Sequence, residues 1–173
     1  MKGNERGFGF ALRVCATLLA GVCGLASQAA AAGGAHADLG PASGSSVSGT
    51  VVFASLAGGV RLDIKLTGLT PGVHGFHIHE AGDCSAADAS SAKGHFNPGN
   101  KPHGNHAGDL PDLVADASGA VQMSATVSGL TLDDGPTGIL GRALIIHADP
   151  DDHVSQPSGK SGKRVACGVV KAD

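Results

Sequence analysis

The stretch "HGFHIHEAGDC", residues 74–84, places three histidines, two carboxylates and a cysteine in eleven positions of a chain that has no Trp and no Tyr. Its first half has the alternation of a β-strand, in which side chains two positions apart point to the same face. His77 and His79 therefore share one face and can bind one ion together, whereas His74 faces the other way. An HxH pair alone is a weak signal, because two solvated histidines on an exposed strand give the same pattern.

A second group of coordinating residues lies in "GHFNPGNKPHGNHAGD", residues 94–109. Three imidazoles and one carboxylate, spaced by eight, three and three residues, are supplied by His95, His103, His106 and Asp109. This N3O set suits tetrahedral zinc. His147 ends an apolar strand and would join His77 and His79 in a site of imidazoles alone, which suits copper, and one of the loop histidines could complete it. No thiolate or thioether is nearby, which disfavours an electron-transfer copper centre.

The rest of the chain predicts an all-β domain. Period-two alternation indicates strands in "SVSGTVVFASL", "VRLDIKLTGL", "VHGFHIHE" and "AVQMSATVSGL", and apolar strands follow in "RALIIHA" and "RVACGVV". Residues 81–112 and 149–163 have little periodicity, which predicts two long loops, and loops of this length are usually functional or disordered. About eight short strands and no convincing helix predict a Greek-key antiparallel β-sandwich or flattened barrel.

The N-terminal segment, residues 1–32, has a different composition. Three basic residues precede the apolar run "VCATLLAGVCGLA", which gives way to the small-residue tract "SQAAAAGGAHA". This pattern is typical of a secretory signal peptide, and the apolar run is too short for a transmembrane helix of about 20 residues. We expect cleavage within residues 29–32 or after "AHA". The mature domain, residues 33–173, is then expected to be periplasmic or otherwise secreted, without a membrane anchor.

Removal of the signal peptide changes both the cysteine content and the charge. The mature chain keeps Cys84 and Cys167, which we expect to pair in a compartment where disulfides persist; two buried free thiols are the alternative. The bridge would close a loop of about 84 residues and stabilise by roughly 4–5 kcal/mol in the chain-entropy model. Loss of three basic residues and one acidic residue changes the formal net charge from −3 to −5. No basic run or phosphate-cradling loop indicates a nucleic-acid partner.

Five blocks carry a resemblance to a known family. Through "GVHGFHIHEAGDC", "GHFNP", "HAGDLP", "LGRALIIHA" and "GKRVACGVV", in this order, essentially the whole mature chain resembles the copper/zinc superoxide dismutases, particularly secreted bacterial members. The resemblance implies Cu and Zn as cofactors and dismutation of superoxide to dioxygen and hydrogen peroxide by a copper redox cycle. The implied copper ligands are His77, His79, His95 and His147. The implied zinc ligands are His95, His103, His106 and Asp109. His95 would then bridge the two metals as an imidazolate, a form that two cations stabilise.

The same resemblance implies roles around the ligands. Asp151 resembles a carboxylate that links a copper ligand to a zinc ligand, and orienting a ligand's free N–H is the usual task of such a group. Arg164 resembles the arginine beside the copper channel, and His74 resembles a structural histidine that hydrogen-bonds across loops. His95 is the implied proton carrier of the catalytic cycle.

One departure from the family and two alternatives accompany this interpretation. Only two residues separate His103 from His106, fewer than in many animal members, so a tight turn containing Gly104 has to bring both to one ion. A metal carrier or a dismutase-like domain without activity is the alternative function, and the complete ligand set together with Arg164 argues against both. The family includes monomers and dimers, so a homodimer is open.

Overall fold

A computed structural model of the protein describes residues 33–173, and the predicted signal peptide lies outside this range. Its strands are β1 Gly34–Pro41, β2 Ser48–Leu56, β3 Gly59–Thr67, β4 Gly72–His74, β5 Phe76–His79, β6 Leu113–Ala115, β7 Val121–Ser128, β8 Ala143–His147, β9 Arg164–Val169 and β10 Lys171–Ala172. One 3₁₀ turn occupies Ser90–Ala92. The predicted all-β class is confirmed, and within residues 33–173 no helix has the length and apolar character needed to cross a lipid bilayer.

The strands form one curled antiparallel sheet in the order β5-β8-β9-β1-β2-β3-β7, with β10 beside β1 and a separate β4-β6 pair. Neighbours such as β9 and β1 are distant in sequence, as a Greek-key architecture requires. The long β2-β3 hairpin forms because its alternating apolar residues coincide in register: Phe53 lies opposite Leu62 and Val51 opposite Ile64. All four side chains are buried.

Strand β1 was not among the strands predicted from the sequence. It connects the two halves of the sheet, since residues 34–39 pair with β2 and residues 40–41 pair with β9. Its buried positions Ala35, Ala37 and Leu39 do alternate, but two of them are alanines, which carry little hydrophobic signal. The alternation was therefore hidden by the smallness of the side chains.

Gly75 divides the predicted third strand into β4 and β5, which pair with different partners, β6 and β8. Its N–H donates to Asp149 O at 2.9 Å, and its carbonyl accepts the N–H of His147 at 2.9 Å. A Cβ at this position would lie only 2.8 Å from Ser161 Cβ. Glycine therefore lets the 149–163 loop and the end of β8 come close to the start of β5.

The core lies on one face of β5 and β8, where Phe76, Ile78, Leu144 and Ile146 are all at most 1 % exposed. Burial of side chains of this size stabilises by about 1.5–3 kcal/mol each. The opposite face of β8 presents Ile145 to a smaller apolar cluster with Cys84, Cys167 and four alanines. Histidines and core residues thus occupy opposite faces of the same strands.

The predicted disulfide joins Cys84 to Cys167 across a Cα separation of 5.8 Å. It attaches the start of the 81–112 loop to β9, beside the 3₁₀ turn whose Ala92 is buried. The loop is therefore fixed near its first residues although it contains no strand until β6.

Cys84→Ser should lower the free energy of unfolding by roughly 2–5 kcal/mol, because the unfolded chain is no longer constrained by an 83-residue separation. Thermal unfolding with and without reductant measures this. The parent protein should lose stability on reduction and the variant should not. Titration of two free thiols in the untreated parent protein would show that the bridge does not form.

Candidate metal centre

Two neighbouring strands bring the first histidines together. His77 and His79 alternate with core residues along β5, and β8 pairs with β5 so that His77 lies opposite Ile145. His147, two residues after Ile145, therefore faces the same side, and the β8-β9 register shifts at this position. The HxH pair and the histidine at the strand end meet on one surface of the sheet.

The 81–112 loop is held along the other edge of β5 by backbone hydrogen bonds. Phe96 N–H donates to Ile78 O and Ile78 N–H donates to Gly108 O, each at 2.8 Å. This pairing places His95 beside His79 and Asp109 beside His77. The loop thus pairs with β5 as an additional strand would. This pairing brings His95 and Asp109 next to His77 and His79.

The first cluster contains four buried imidazoles whose ligand atoms all lie within 4.8 Å of one another: His77, His79, His95 and His147. The rings pack closely, with centroids of His77 and His95 3.9 Å apart. The inward nitrogens are His77 Nδ1, His79 Nε2, His95 Nε2 and His147 Nε2, and within residues 33–173 none of them has a hydrogen-bond partner. Buried polar atoms are rarely left unpaired, so four convergent lone pairs fit a metal ion.

The outward nitrogen of three of these rings is held by an acceptor. His77 Nε2 lies 2.6 Å from Asp151 Oδ2, and His79 Nδ1 lies 2.9 Å from Lys93 O. His147 Nδ1 lies 3.2 Å from Gly162 O. Because each acceptor fixes the ring proton on the outward nitrogen, the lone pair points inward, as a metal ligand requires.

The second cluster shares His95 with the first and comprises His95, His103, His106 and Asp109. Asp109 Oδ1 lies 3.0 Å from His95 Nδ1, 3.2 Å from His106 Nδ1 and 3.4 Å from His103 Nδ1. Three imidazole nitrogens and one carboxylate oxygen thus converge, a donor set that suits zinc.

A tight turn makes the short histidine spacing possible. Gly104 has φ +88°, a conformation that residues with a side chain rarely adopt. The second oxygen of Asp109, Oδ2, accepts the N–H of Gly104 at 2.9 Å and of His106 at 3.0 Å. The carboxylate therefore closes the turn with one oxygen and faces the three imidazoles with the other.

Asp151 connects the two clusters. Its Oδ2 lies 2.6 Å from His77 Nε2, and its Oδ1 lies 2.8 Å from His103 Nε2 and accepts the N–H of His153 at 2.7 Å. Burial alone would raise the pKa of Asp151, but the hydrogen bonds from His103 and His77 hold it below its usual range. The group is thus an ionised acceptor that orients one ring of each cluster.

Burial keeps the histidines of the first cluster neutral. Desolvation, assisted by neighbouring imidazoles and by Arg164, lowers the pKa of His79 to about 2 and of His147 to about 4. Desolvation and the neighbouring His95 lower the pKa of His77 to about 3. Neutral imidazole is the form that binds a metal ion, so these side chains are ready to coordinate at neutral pH.

A cleft of about 200 Å³ opens onto His79, His95 and His147 and is also lined by Gly94, Pro157, Ser158, Gly162 and Arg164. Of these lining residues Arg164 alone carries a formal charge. Its guanidinium donates to Ala89 O and to Lys93 O, both at 2.6 Å. The arginine is held at the cleft by two carbonyls, and no carboxylate lines the cleft itself; the nearby opposite charge is Asp88, in an adjacent depression that Arg164 also lines.

The structure therefore brings all seven predicted ligand residues into two adjoining clusters, with Asp151 between them and Arg164 at the cleft. His74 lies outside both clusters; its ring nitrogens are each 2.8 Å from a carbonyl oxygen, of Thr70 and of His147. Sequence reasoning missed the acceptor roles of Lys93 and Gly162. Every residue has a carbonyl, so side-chain identity gives no indication of which carbonyl will orient a ligand.

The comparisons with known proteins point to one family. The sequence profile of the family described as copper/zinc superoxide dismutase (SODC) matches residues 47–170. The chain is 41 % identical over 147 residues to superoxide dismutase [Cu-Zn] 1 of Aquifex aeolicus, covering 79 % of this chain and 86 % of that protein. It is 39 % identical over 143 residues to superoxide dismutase [Cu-Zn] of Deinococcus radiodurans, covering 73 % and 78 %.

Solved structures of similar sequence share the fold of this chain. The crystal structure of a SOD-like protein from Bacillus subtilis aligns with a TM-score of 0.72 at 38 % identity, covering 78 % of this chain and 96 % of that one. The crystal structure of the clock protein EA4 aligns with a TM-score of 0.72 at 35 % identity, covering 81 % and 94 %.

The metal-free protein should lose stability as the pH falls below 6.5, the ordinary pKa of histidine. Unfolded histidines take up protons there, whereas His77, His79 and His147 stay unprotonated in the folded chain until the pH approaches their lowered pKa values. Each proton that the unfolded chain binds in excess of the folded chain lowers the free energy of unfolding by about 1.4 kcal/mol for each pH unit of acidification. Urea unfolding of the chelator-treated, disulfide-intact protein at several pH values measures the slope.

His79→Gln should reduce that slope by up to about 1.4 kcal/mol per pH unit, the contribution of one proton, since one of the four histidines with a lowered pKa, which include His106, is then missing. Lys65→Gln, on the exposed surface of β3, is the matched control and should leave the slope unchanged. Equal stability of the parent protein at about pH 7.5 and about pH 5.5 would contradict the account.

Proposed function

The chain belongs to the copper/zinc superoxide dismutase family, and from that membership we propose which of its residues carry the reaction. The protein is an oxidoreductase that uses copper and zinc to convert two superoxide anions and two protons into dioxygen and hydrogen peroxide. The observation that carries the residue assignment is the set of buried ring nitrogens that converge without a hydrogen-bond partner among the described residues.

We assign the copper ligands to His77, His79, His95 and His147, and the zinc ligands to His95, His103, His106 and Asp109. The imidazole-only set supports copper, and the set with one carboxylate supports zinc. His95 belongs to both because its Nε2 faces the first cluster and its Nδ1 lies 3.0 Å from Asp109 Oδ1 in the second. A ring that presents one nitrogen to each cluster is suited to bridge two ions.

When bound, copper supplies one-electron oxidation and reduction of superoxide, and zinc supplies fixed positive charge. His95 lines the cleft, so its Nε2 is the nitrogen that we propose holds a proton and delivers it to the product. Asp109, through its contact with His95 Nδ1, keeps the ring from turning away. Asp151 orients His77 and His103 in the same manner from behind the two clusters.

Arg164 is proposed to attract and orient the superoxide anion. The lining of the cleft is otherwise neutral in side-chain charge, and two carbonyls hold the guanidinium. Asp88, which lines an adjacent depression together with Arg164, is a nearby opposite charge, but it does not line the cleft itself. Of the neighbouring cations, Lys160 Nζ lies 3.8 Å from Asp152 Oδ2, and Lys163 lines an adjacent depression. A local positive field of this kind can act on an anion although the whole domain is acidic.

We also propose that residues 1–32 are a signal peptide and that residues 33–173 form the dismutase domain of a periplasmic or secreted protein. The Cys84–Cys167 bridge supports this, because disulfides persist mainly in oxidising compartments. The homodimer that the resemblance allows stays a prediction.

The two metal sets should be separable by mutation. His147→Ala should abolish copper binding and lower superoxide consumption by about a hundredfold or more while zinc stays bound, because His147 belongs only to the first cluster. Asp109→Ala should weaken zinc binding and leave copper bound with an altered visible spectrum. Metal analysis and a superoxide assay on the two variants, prepared in parallel, measure the effects.

Parent-level activity of the His147→Ala protein would show that the copper assignment is wrong. An unchanged zinc affinity of the Asp109→Ala protein would remove Asp109 from the zinc set. Metal binding by the parent protein without superoxide consumption would instead favour the metal-carrier alternative.

Activity should fall as ionic strength rises, since steering by surface charge is screened over about 8 Å at physiological salt. Arg164→Gln should reduce the rate by roughly tenfold and flatten its salt dependence, within the range of about 10 to 1,000-fold that electrostatic steering provides. Lys65→Gln on β3 is the control and should change neither. Equal, small effects of both substitutions on a rate that does not vary with salt would remove Arg164 from the site.

A further inference from the structure

Gln156, in the 149–163 loop, makes hydrogen bonds with the backbone of His103, a residue 53 positions away. The N–H of His103 donates to Gln156 Oε1 at 2.8 Å. Gln156 Nε2 donates to Val154 O at 3.0 Å and, at a longer 3.5 Å, to His103 O. Both ends of the amide group are therefore engaged, and two of the three contacts are with one residue of the other loop.

The ring of His103 is held from the same loop. Its Nε2 lies 2.8 Å from Asp151 Oδ1, while its Nδ1 faces Asp109 and lacks a hydrogen-bond partner in the described structure. The 149–163 loop thus fixes both the ring and the backbone of His103. The turn that follows constrains the chain on the other side of His103, through the hydrogen bond from Asn105 N–H to Pro102 O at 3.1 Å and through Asp109 Oδ2, which accepts the N–H groups of Gly104 and His106.

We propose that Gln156 is the positioning residue of His103, so that the short turn between the two loop histidines presents His103 Nδ1 toward zinc. The inference rests on the proposed zinc set. Without the amide contact, the N–H of His103 loses the acceptor that ties its turn to the 149–163 loop, and zinc binding has to restore the lost order.

The contact also connects the zinc side with the cleft. Pro157 and Ser158, which directly follow Gln156, line the cleft wall beside His95 and Arg164. Loss of the Gln156 contact should therefore loosen the wall at Pro157 and Ser158 together with His103. The copper-only ligands should keep their positions, because they lie on β5 and β8 and are oriented by Asp151, Lys93 and Gly162.

Asn97 provides a matched control within the same domain. Its Nδ2 donates to Lys101 O at 2.8 Å and its Oδ1 accepts the N–H of Lys101 at 2.9 Å. Like Gln156, Asn97 thus bonds the N–H and the carbonyl of one residue through its amide group. That residue, Lys101, belongs to neither cluster. Asn97→Ala therefore removes an equivalent contact without touching a proposed ligand.

Zinc affinity of the copper-loaded holoprotein, measured by competition with a chelator, tests the proposal. Gln156→Ala and the near-isosteric Gln156→Met should both weaken zinc binding by about tenfold, the scale of effect expected when a partner that orients a ligand is removed. Asn97→Ala should leave the zinc affinity within about twofold of the parent. Copper content should be unchanged in all three, and the visible spectrum of protein carrying Co²⁺ in place of zinc should change only in the Gln156 variants.

The outcomes separate this inference from the proposed function. His103→Ala serves as the reference: if it leaves zinc affinity unchanged, the zinc assignment itself is wrong. If His103→Ala weakens zinc binding but the Gln156 variants do not, only the positioning role is overturned. Parent affinity in Gln156→Met alone would assign the effect to side-chain volume, and equal weakening by Asn97→Ala would assign it to general loosening of the loop; either result contradicts the proposal.

Discussion

The buried carboxylate of Asp151 is the interaction on which the geometry of the centre depends. It accepts from one ring in each histidine cluster and from the N–H of His153, so its charge is matched by three hydrogen bonds. A buried ionised group with fewer partners would be costly. The need to satisfy this one group therefore pulls the 149–163 loop onto the 81–112 loop. Two irregular segments with little apolar content thereby acquire a defined arrangement.

Strand β5 gives that arrangement a rigid base, because its two faces serve different purposes. Phe76 and Ile78 anchor it in the core, and His77 and His79 point the opposite way into the site. The alternation that buries the apolar side chains thus also aims the imidazoles. Gly75 matters for the same reason: it ends β4, lets β5 pair with β8, and brings the end of β8 within reach of His77. Stability and coordination geometry are coupled through this strand.

Much of this could be predicted from the sequence, and the parts that could not share a physical cause. The longer strands with large apolar side chains were found, whereas β1 was missed because alanines fill two of its buried positions. The strands β6 and β10 were also missed, because three and two residues are too few to show an alternation. The candidate ligand residues could be named because side-chain chemistry and spacing are visible in a sequence, and the structure brings them together in two clusters. The break at Gly75, the carbonyls of Lys93 and Gly162, and the contact of Gln156 with His103 were not, because they depend on backbone groups. Those groups are identical at almost every residue and become specific only after the chain has folded.

The unpaired ring nitrogens tie the geometry of the site to the stability of the fold. Five inward ring nitrogens of the two clusters are buried without a hydrogen-bond partner among residues 33–173, and each such group costs about 1–3 kcal/mol. Their outward nitrogens are mostly satisfied, so the rings cannot turn to relieve the cost without breaking contacts to Asp151, Lys93 or Gly162. The core and the disulfide must therefore hold the clusters in place, and metal binding then recovers the free energy that the unpaired nitrogens cost. Coordination by this chain is in that sense a part of its folding.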